Sequence, residues 1–285
     1  MEMNEKTSNN TANVHNPSEM LLSVSIVMYR NYEEAWDTVA SIEQYTSDCI
    51  SKCIYIIDNS ALLDSDKEML ESKSIFEEKL KQFLDITYIY TGENKGFGKG
   101  HNVVLKLIQS KYHAIVNPDI LLSEDSFKKI VDYMNQDLSI GMVIPKLLDQ
   151  NGEIQKAYRR ELTKTDLFLR MFVKVGFKKR KDFHTMQDMD YAKPFQVPFA
   201  QGSFLVIRTS LLQELGGFDD RFFMYMEDAD LCKRVNAVSK VMYYPGTAVF
   251  HKWEKGSHKS FRLMRIHLHS ASEYFKKWND HADGN

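Results

Sequence analysis

Glu227, Asp228 and Asp230 put three carboxylates within four residues, directly after the aromatic and methionine run Phe222-Phe223-Met224-Tyr225-Met226. Acidic side chains in the first turn of a helix are stabilised by its dipole, so a capped helix start accounts for them. The aromatic run adds a second reading. Rings pressed against Glu227 and Asp228 would strip water from a carboxylate and raise its pKa toward that of a general base. Asp119 closes Asn117-Pro118-Asp119 just past an apolar run. A carboxylate there can hold Mg2+ or Mn2+ against a bound diphosphate, because these cations take oxygen ligands, few of them from protein. The same three residue types also make an ordinary turn. His251, in Val249-Phe250-His251-Lys252-Trp253, is a metal ligand by type and more often a satisfied structural histidine. Asn94-Lys95-Gly96-Phe97-Gly98-Lys99-Gly100-His101-Asn102 is a poor dinucleotide fingerprint, because its glycines lack the final three-residue step. Glycines before a helix still let backbone amides approach a phosphate, or simply make a flexible turn.

These positions lie at the ends of short apolar runs. Residues 22–29, 53–57, 86–90 and 112–116 read as strands, alternating with helical spacing over 32–45, 64–84, 101–109 and 124–135. That alternation predicts an α/β fold, a Rossmann-like, mostly parallel sheet with helices on both faces. Such sheets bind ligands at the carboxyl ends of their strands. Those ends carry Tyr29-Arg30-Asn31, Asp58-Asn59, Gly92-Glu93-Asn94 and Asn117-Pro118-Asp119. The second half is less regular. Strands are expected at 140–147, 197–207, 241–244 and 248–253, and helices at 227–238 and 258–278. No repeat and no Pro- or Gly-rich linker divides the chain, so one continuous domain is expected.

Of 285 residues, 37 are Lys or Arg and 39 are Asp or Glu, a net charge of −2 that excludes a general nucleic-acid coat. The longest apolar run, residues 21–29, falls far short of the roughly 20 needed to span a bilayer. Residues 1–20 are polar and Asn-rich, which predicts a disordered leader without a secretory signal. Cys49, Cys53 and Cys232 are odd in number and lack a metal-ligand pattern, as expected of packing thiols in a reducing cytoplasm. Residues 156–181 hold ten bases against two acids, an excess of +8, and residues 258–278 an excess of +4. Both stretches are amphipathic, so they are expected either to meet an anionic membrane surface or to pack with their charges solvated.

Taken in order, Val24-Ser25-Ile26-Val27, Ile57-Asp58-Asn59-Ser60, Asn94-Lys95-Gly96-Phe97-Gly98, Asn117-Pro118-Asp119, Gly216-Gly217-Phe218-Asp219 and Phe223-Met224-Tyr225-Met226-Glu227-Asp228-Ala229-Asp230-Leu231 resemble a family 2 glycosyltransferase of the GT-A fold. The likeness is to the bacterial rhamnosyltransferase-like branch, which builds cell-wall, capsule and O-antigen chains. It implies a GT-A domain over residues 21–255, with a nucleotide-sugar half at 21–120 and an irregular acceptor and catalytic half at 121–255. A C-terminal loop and basic amphipathic helix would fill 256–285. By that resemblance Met28, Tyr29, Arg30, Asp58, Asn94, Gly96, Asn102, Asn117 and Lys255 bind the nucleotide sugar, with Asp58 at the pyrimidine base. Gln201, Gly202 and Trp253 face the acceptor, and Asp119 and His251 hold Mg2+ or Mn2+. Asp228 is the catalytic base, with Glu227 beside it. Two departures stand out. Asn117 replaces the first aspartate of the metal motif, leaving fewer charged ligands, and His101 stands where many relatives carry arginine.

The mechanism so implied is one displacement with inversion. Asp228 takes a proton from an acceptor hydroxyl that attacks the anomeric carbon. The implied donor is dTDP-L-rhamnose, with UDP-sugars next. The implied acceptor is a glycan on a polyprenyl diphosphate at the cytoplasmic membrane face, and the C-terminal helix is a candidate homodimer contact. A nicotinamide-dependent oxidoreductase would need its glycine fingerprint after the first strand, where Met28-Tyr29-Arg30-Asn31 has none. A noncatalytic nucleotide- or glycan-binding module would have no use for the carboxylate cluster.

Overall fold

The computed structural model describes residues 20–172, 176–252 and 261–279. Its first part runs β1 (Leu22–Met28), α1 (Tyr32–Tyr45), β2 (Lys52–Asp58), α2 (Lys67–Leu80), β3 (Ile86–Tyr90), α3 (Phe97–Asn102), β4 (Tyr112–Val116), β5 (Ile120–Leu121), α4 (Ser126–Gln136) and β6 (Ile140–Leu148). There follow β7 (Tyr158–Arg159), α5 (Lys164–Phe172), α6 (Lys178–His184), β8 (Phe195–Gln196), β9 (Phe199–Ala200), β10 (Phe204–Arg208), α7 (Thr209–Glu214), α8 (Glu227–Val238), β11 (Lys240–His251) and α9 (Phe261–Asn279).

One sheet runs β3-β2-β1-β4-β10-β6-β11-β5, with β8 paired to β11, and it is flanked by helices. β1 lies between β2 and β4, parallel to both, and all seven of its residues are buried. A strand covered on both faces must be nearly continuous in apolar residues, and Leu22, Val24, Ile26 and Met28 meet that demand. The polar exceptions are satisfied internally. Ser25 Oγ lies 2.7 Å from His101 Nδ1 and 2.8 Å from His113 Nε2, and Ser23 Oγ lies 2.7 Å from His113 Nδ1. Burial pushes His113 down to about 3 and lowers His101 too, so neither imidazole is a cation at neutral pH.

Several sequence expectations are corrected here. β10 is antiparallel to both β4 and β6, so the sheet is mixed at its centre. The strand expected over residues 197–207 is split into β9 and β10. The break at Gln201-Gly202-Ser203 turns the chain into the sheet beside Asn117, whose N–H donates to the Ser203 carbonyl at 2.8 Å. The two short strands expected after residue 240 form the single β11, which absorbs a register shift between Tyr244 and Ala248. The helix expected over 101–109 is replaced by α3, which starts earlier, and beyond it the chain tightens into i→i−3 turns, with Val104 N donating to the His101 carbonyl at 3.3 Å and Leu107 N to the Val104 carbonyl at 2.8 Å. Asn102 ends α3 by hydrogen bonding to Phe218, donating to its carbonyl at 2.8 Å and accepting its N–H at 2.9 Å. The basic stretch 156–181 is β7, α5 and the first part of α6 instead of one amphipathic segment.

Candidate active site

On the β1–β3 side the strand ends close over a polar floor. Met28 and Asp58 are register partners at the ends of β1 and β2, and both are buried. Asp58 Oδ2 accepts from Tyr32 Oη at 2.9 Å and Tyr88 Oη at 2.5 Å, while Oδ1 accepts from Ser60 N at 2.8 Å. A carboxylate with no exposed surface and three donors already in place does not meet a base directly, contrary to the expectation for Asp58. It ties the loop, and Ser60 Oγ in turn accepts from Arg30 N at 2.8 Å. Tyr29 is exposed, and Arg30, at φ 60, pairs with Asp66 at 2.6 Å. Tyr29 and Arg30 therefore form the open rim of this floor.

The glycine-rich turn is shaped by contact with the acceptor half. Asn94 Oδ1 accepts from Gly96 N at 3.0 Å. Gly96 has φ 84, and a Cβ there would sit 2.0 Å from the Phe223 carbonyl oxygen, so no other residue fits. Phe97 N donates to that carbonyl at 3.1 Å. Asn102 holds Phe218 and also donates to Asp220 at 3.0 Å, so its amide is occupied by protein and not by the diphosphate the resemblance assigned it. His101 is buried and neutral between Phe97 and Phe218, and it supplies none of the charge an arginine would.

Asp119 and His251 come together because β5 pairs antiparallel with the end of β11, His251 opposite Ile120. The Asp119 carbonyl accepts from Lys252 N at 3.0 Å, and Asp119 Oδ2 lies 3.3 Å from His251 Nε2. Gln155 sets the imidazole. Its Nε2 donates to the carbonyls of His251 at 3.0 Å and Leu148 at 3.5 Å, so its Oε1, 2.9 Å from His251 Nδ1, is turned to accept. Nδ1 therefore carries the proton, and Nε2 presents its lone pair toward Asp119. Two electron-rich atoms facing each other are satisfied by a shared cation or by a second proton on the ring. Among the described residues Asp119 Oδ1 is buried without a hydrogen-bond partner, which adds an oxygen with spare acceptor capacity. This donor set fits Mg2+ or Mn2+, with the remaining positions left to diphosphate and water. Among the described residues no group of three or more His, Cys, Asp and Glu assembles to hold a metal.

Across the same loop stands Asp228. Gly202 N donates to Asp228 Oδ2 at 3.2 Å, and Ala229 N donates to Oδ1 at 2.8 Å. A Cβ on Gly202 would lie 3.2 Å from the Asp228 Cβ, so the close approach depends on glycine. Gln201 is anchored by its own N–H, 2.9 Å from the Ala157 carbonyl. The loop Gln201-Gly202-Ser203 thus touches Asp228 on one side and Asn117 on the other. Glu227 carries the desolvation. It is buried, its Oε2 has no hydrogen-bond partner, and burial together with the adjacent Asp228 charge pushes it up to about 8. Burial and the neighbouring carboxylate therefore hold Glu227 toward its protonated form at neutral pH.

A pH effect on stability follows. A carboxyl raised from 4.5 in the unfolded chain to about 8 in the fold contributes stability fully present below 4.5 and lost as pH rises through 8. Glu227→Gln removes that dependence. Between pH 5 and pH 9 the parent is expected to lose about 4 kcal/mol in urea unfolding that the variant does not lose. Equal pH profiles for the two proteins would show that Glu227 is not held protonated.

The structure brings Asp119 to His251 and Gly202 to Asp228, while Asp58 and Asn102 serve as internal ties. Trp253 and Lys255 lie outside the described residues, as do residues 1–19 of the expected leader. Gln155 escaped the sequence reading because no local signal marks it: it precedes a two-residue strand and meets His251 only through the fold. Tyr32 and Tyr88 escaped likewise, although Tyr32 sits directly after the strand-end residues.

The profile of the family described as Glycosyl transferase family 2 matches residues 23–216. The rhamnosyltransferase WbbL of Escherichia coli (strain K12) is 25% identical over 208 residues, covering 69% of this chain and 76% of that protein. An N-acetylglucosaminyl-diphospho-decaprenol L-rhamnosyltransferase of Mycobacterium tuberculosis (strain CDC 1551 / Oshkosh) is 25% identical over 214 residues, covering 68% and 67%. Among solved structures, that of GalNAc-T7 with UDP, GalNAc and Mn2+ superposes with a TM-score of 0.59 at 16% identity. The match covers 92% of this chain and 51% of that one, so the chain spans about half of that protein and shares its GT-A fold.

Proposed function

The chain belongs to glycosyl transferase family 2 and is a hexosyltransferase, and on that premise we propose that it is an inverting enzyme acting on a nucleotide sugar. The favoured donor is dTDP-L-rhamnose, supported by the two rhamnosyltransferase relatives, with a UDP-sugar as the alternative. The proposed acceptor is a glycan on a polyprenyl diphosphate, because one relative acts on a decaprenol-linked substrate.

The observation that carries this reading is the Gln201–Ser203 loop, whose Gly202 N–H holds Asp228 and whose Ser203 carbonyl holds Asn117, two residues before the Asp119 that meets His251. Asp228 accepts the proton of an acceptor hydroxyl as that oxygen attacks the anomeric carbon. The Gly202 N–H orients the carboxylate, and the protonated Glu227 behind it adds no second charge. Asp119 and His251 would hold a divalent cation, whose chemistry is Lewis-acid neutralisation of charge on the departing diphosphate. Tyr29 and Arg30 rim the pocket for the nucleotide, on a floor kept rigid by Asp58, Tyr32 and Tyr88.

Slow hydrolysis of a nucleotide-sugar panel in Mn2+ tests the donor without the acceptor. Release of dTDP from dTDP-L-rhamnose faster than of UDP or GDP from their sugars is the expected result. Preference for a UDP-sugar selects the alternative donor, and hydrolysis of none overturns the reading. Among the described residues no helix is long and apolar enough to cross a membrane. Peripheral attachment at a cytoplasmic membrane face is proposed on the basic residues of 156–181. In the same experiment the enzyme is expected to sediment with anionic vesicles and not with neutral ones. Equal recovery in the supernatant would remove that part.

A further inference from the structure

The entry to α8 is held in an unfavourable backbone conformation. Tyr225 and Met226, the two residues before Glu227, have φ of 71° and 70°. Side-chain residues in the left-handed region are crowded, and two in succession persist only where neighbours hold them. On the nucleotide side Phe97 N donates to the Phe223 carbonyl at 3.1 Å. The other contacts come from α9. Ser270 Oγ donates to the Met224 carbonyl at 2.8 Å, and the Tyr225 ring lies 4.6 Å from the His267 ring between centroids. Ser270 and His267 are both buried.

A second grip falls two residues beyond Asp228. Asp230 is wholly buried and takes Arg234 at 2.7 Å, Lys277 at 2.5 Å and the Trp278 indole N–H at 3.1 Å. Lys277 also reaches Asp219 at 2.7 Å, and Arg234 donates to the carbonyls of Leu215 at 2.9 Å and Gly217 at 2.8 Å. A buried carboxylate needs this charge and these donors, so losing one leaves it poorly compensated. A helix that merely covered the domain would offer apolar contacts, such as those of Ala271 and Tyr274. Instead α9 places hydrogen bonds and a cation on the segment 224–230, on both sides of Asp228.

We propose that α9, which lies beyond the stretch matched by the family profile, is the clamp that aims Asp228, with Ser270, Lys277 and Trp278 as positioning residues. The C-terminal helix thus works on the acceptor side of the site, and its Lys277 charge is committed inward. The proposal rests on the reading of Asp228 as the base, and its test separates the two. Full-length Ser270→Ala and Lys277→Met are compared with the parent for transfer kinetics, nucleotide binding by calorimetry, and amide hydrogen exchange across residues 222–230.

Transfer kcat is expected to fall about 10–100-fold, as for a misaimed catalytic group, with nucleotide affinity held within about twofold. Exchange over 222–230 is expected to speed up while β1 and β2 stay protected, and Lys277→Arg is expected to recover most of the rate. Should Lys277→Met not fold, Ser270→Ala carries the test, since it removes one hydrogen bond. Unchanged exchange at 222–230, or a parallel loss of kcat and nucleotide affinity, overturns the clamp. Faster exchange there, with an Asp228→Asn enzyme that still transfers sugar, keeps the clamp and removes the base.

Discussion

Asp228→Asn is expected to lower sugar transfer by about 10³-fold, the middle of the range a positioned general base supplies. The exchange is nearly isosteric. The amide oxygen can still accept from Gly202 N or Ala229 N, so loop and helix start keep their places. What disappears is a group able to take the proton from an attacking hydroxyl. Nucleotide binding, proposed for the β1–β3 side around Tyr29 and Arg30, is expected to change by less than about twofold in calorimetry. Single-turnover transfer then isolates the loss in the chemical step. A variant retaining more than about a tenth of the parent rate would take the proton-accepting role away from Asp228, given the smallest contribution such a base makes.

Asp119→Ala is expected to cost about 10³-fold in transfer at saturating donor, as charge stabilisation worth several kcal/mol is lost. The matching measurement is Mn2+ binding by electron spin resonance, which needs no turnover. Asp119→Ala should abolish high-affinity Mn2+ uptake in the presence of nucleoside diphosphate. Gln155→Leu should weaken that uptake about 10–100-fold, because the ligand ring loses the partner that sets its tautomer. That graded pair distinguishes a built metal site from a plain ion pair. If His251 were simply a protonated partner of Asp119, Gln155→Leu would leave Mn2+ binding untouched.

Much of the scaffold was readable from local pattern. The apolar run 22–28, the alternation of strand and helix through residue 136, and the polar residues at strand ends all follow from side-chain period and burial. Asn117-Pro118-Asp119 and Glu227-Asp228 were legible for the same reason, since acids beside apolar or aromatic runs stand out in one dimension. The failures were of another kind. Asp58 was read as facing a base, yet Tyr32 and Tyr88, from different elements, enclose it. The desolvation expected at Glu227 and Asp228 does occur, and it falls on Glu227, because the helix start buries the first carboxylate and leaves the second partly exposed.

The residue types alone determined which chemistry is on offer: oxygen and imidazole donors for a hard cation, a carboxylate for a proton, and strands to carry them. Only the tertiary structure decided which of these groups meet. β10 enters the sheet antiparallel to β4, so the residues just before it, Gly202 and Ser203, lie beside the end of β4 and reach Asp228 and Asn117. β5 pairs with the end of β11, which brings His251 to Asp119, and Gln155 then sets the ring. The physical reason is that periodicity records which face of an element is buried. Strand direction and register are set by long-range hydrogen bonding that leaves no imprint on neighbouring residues.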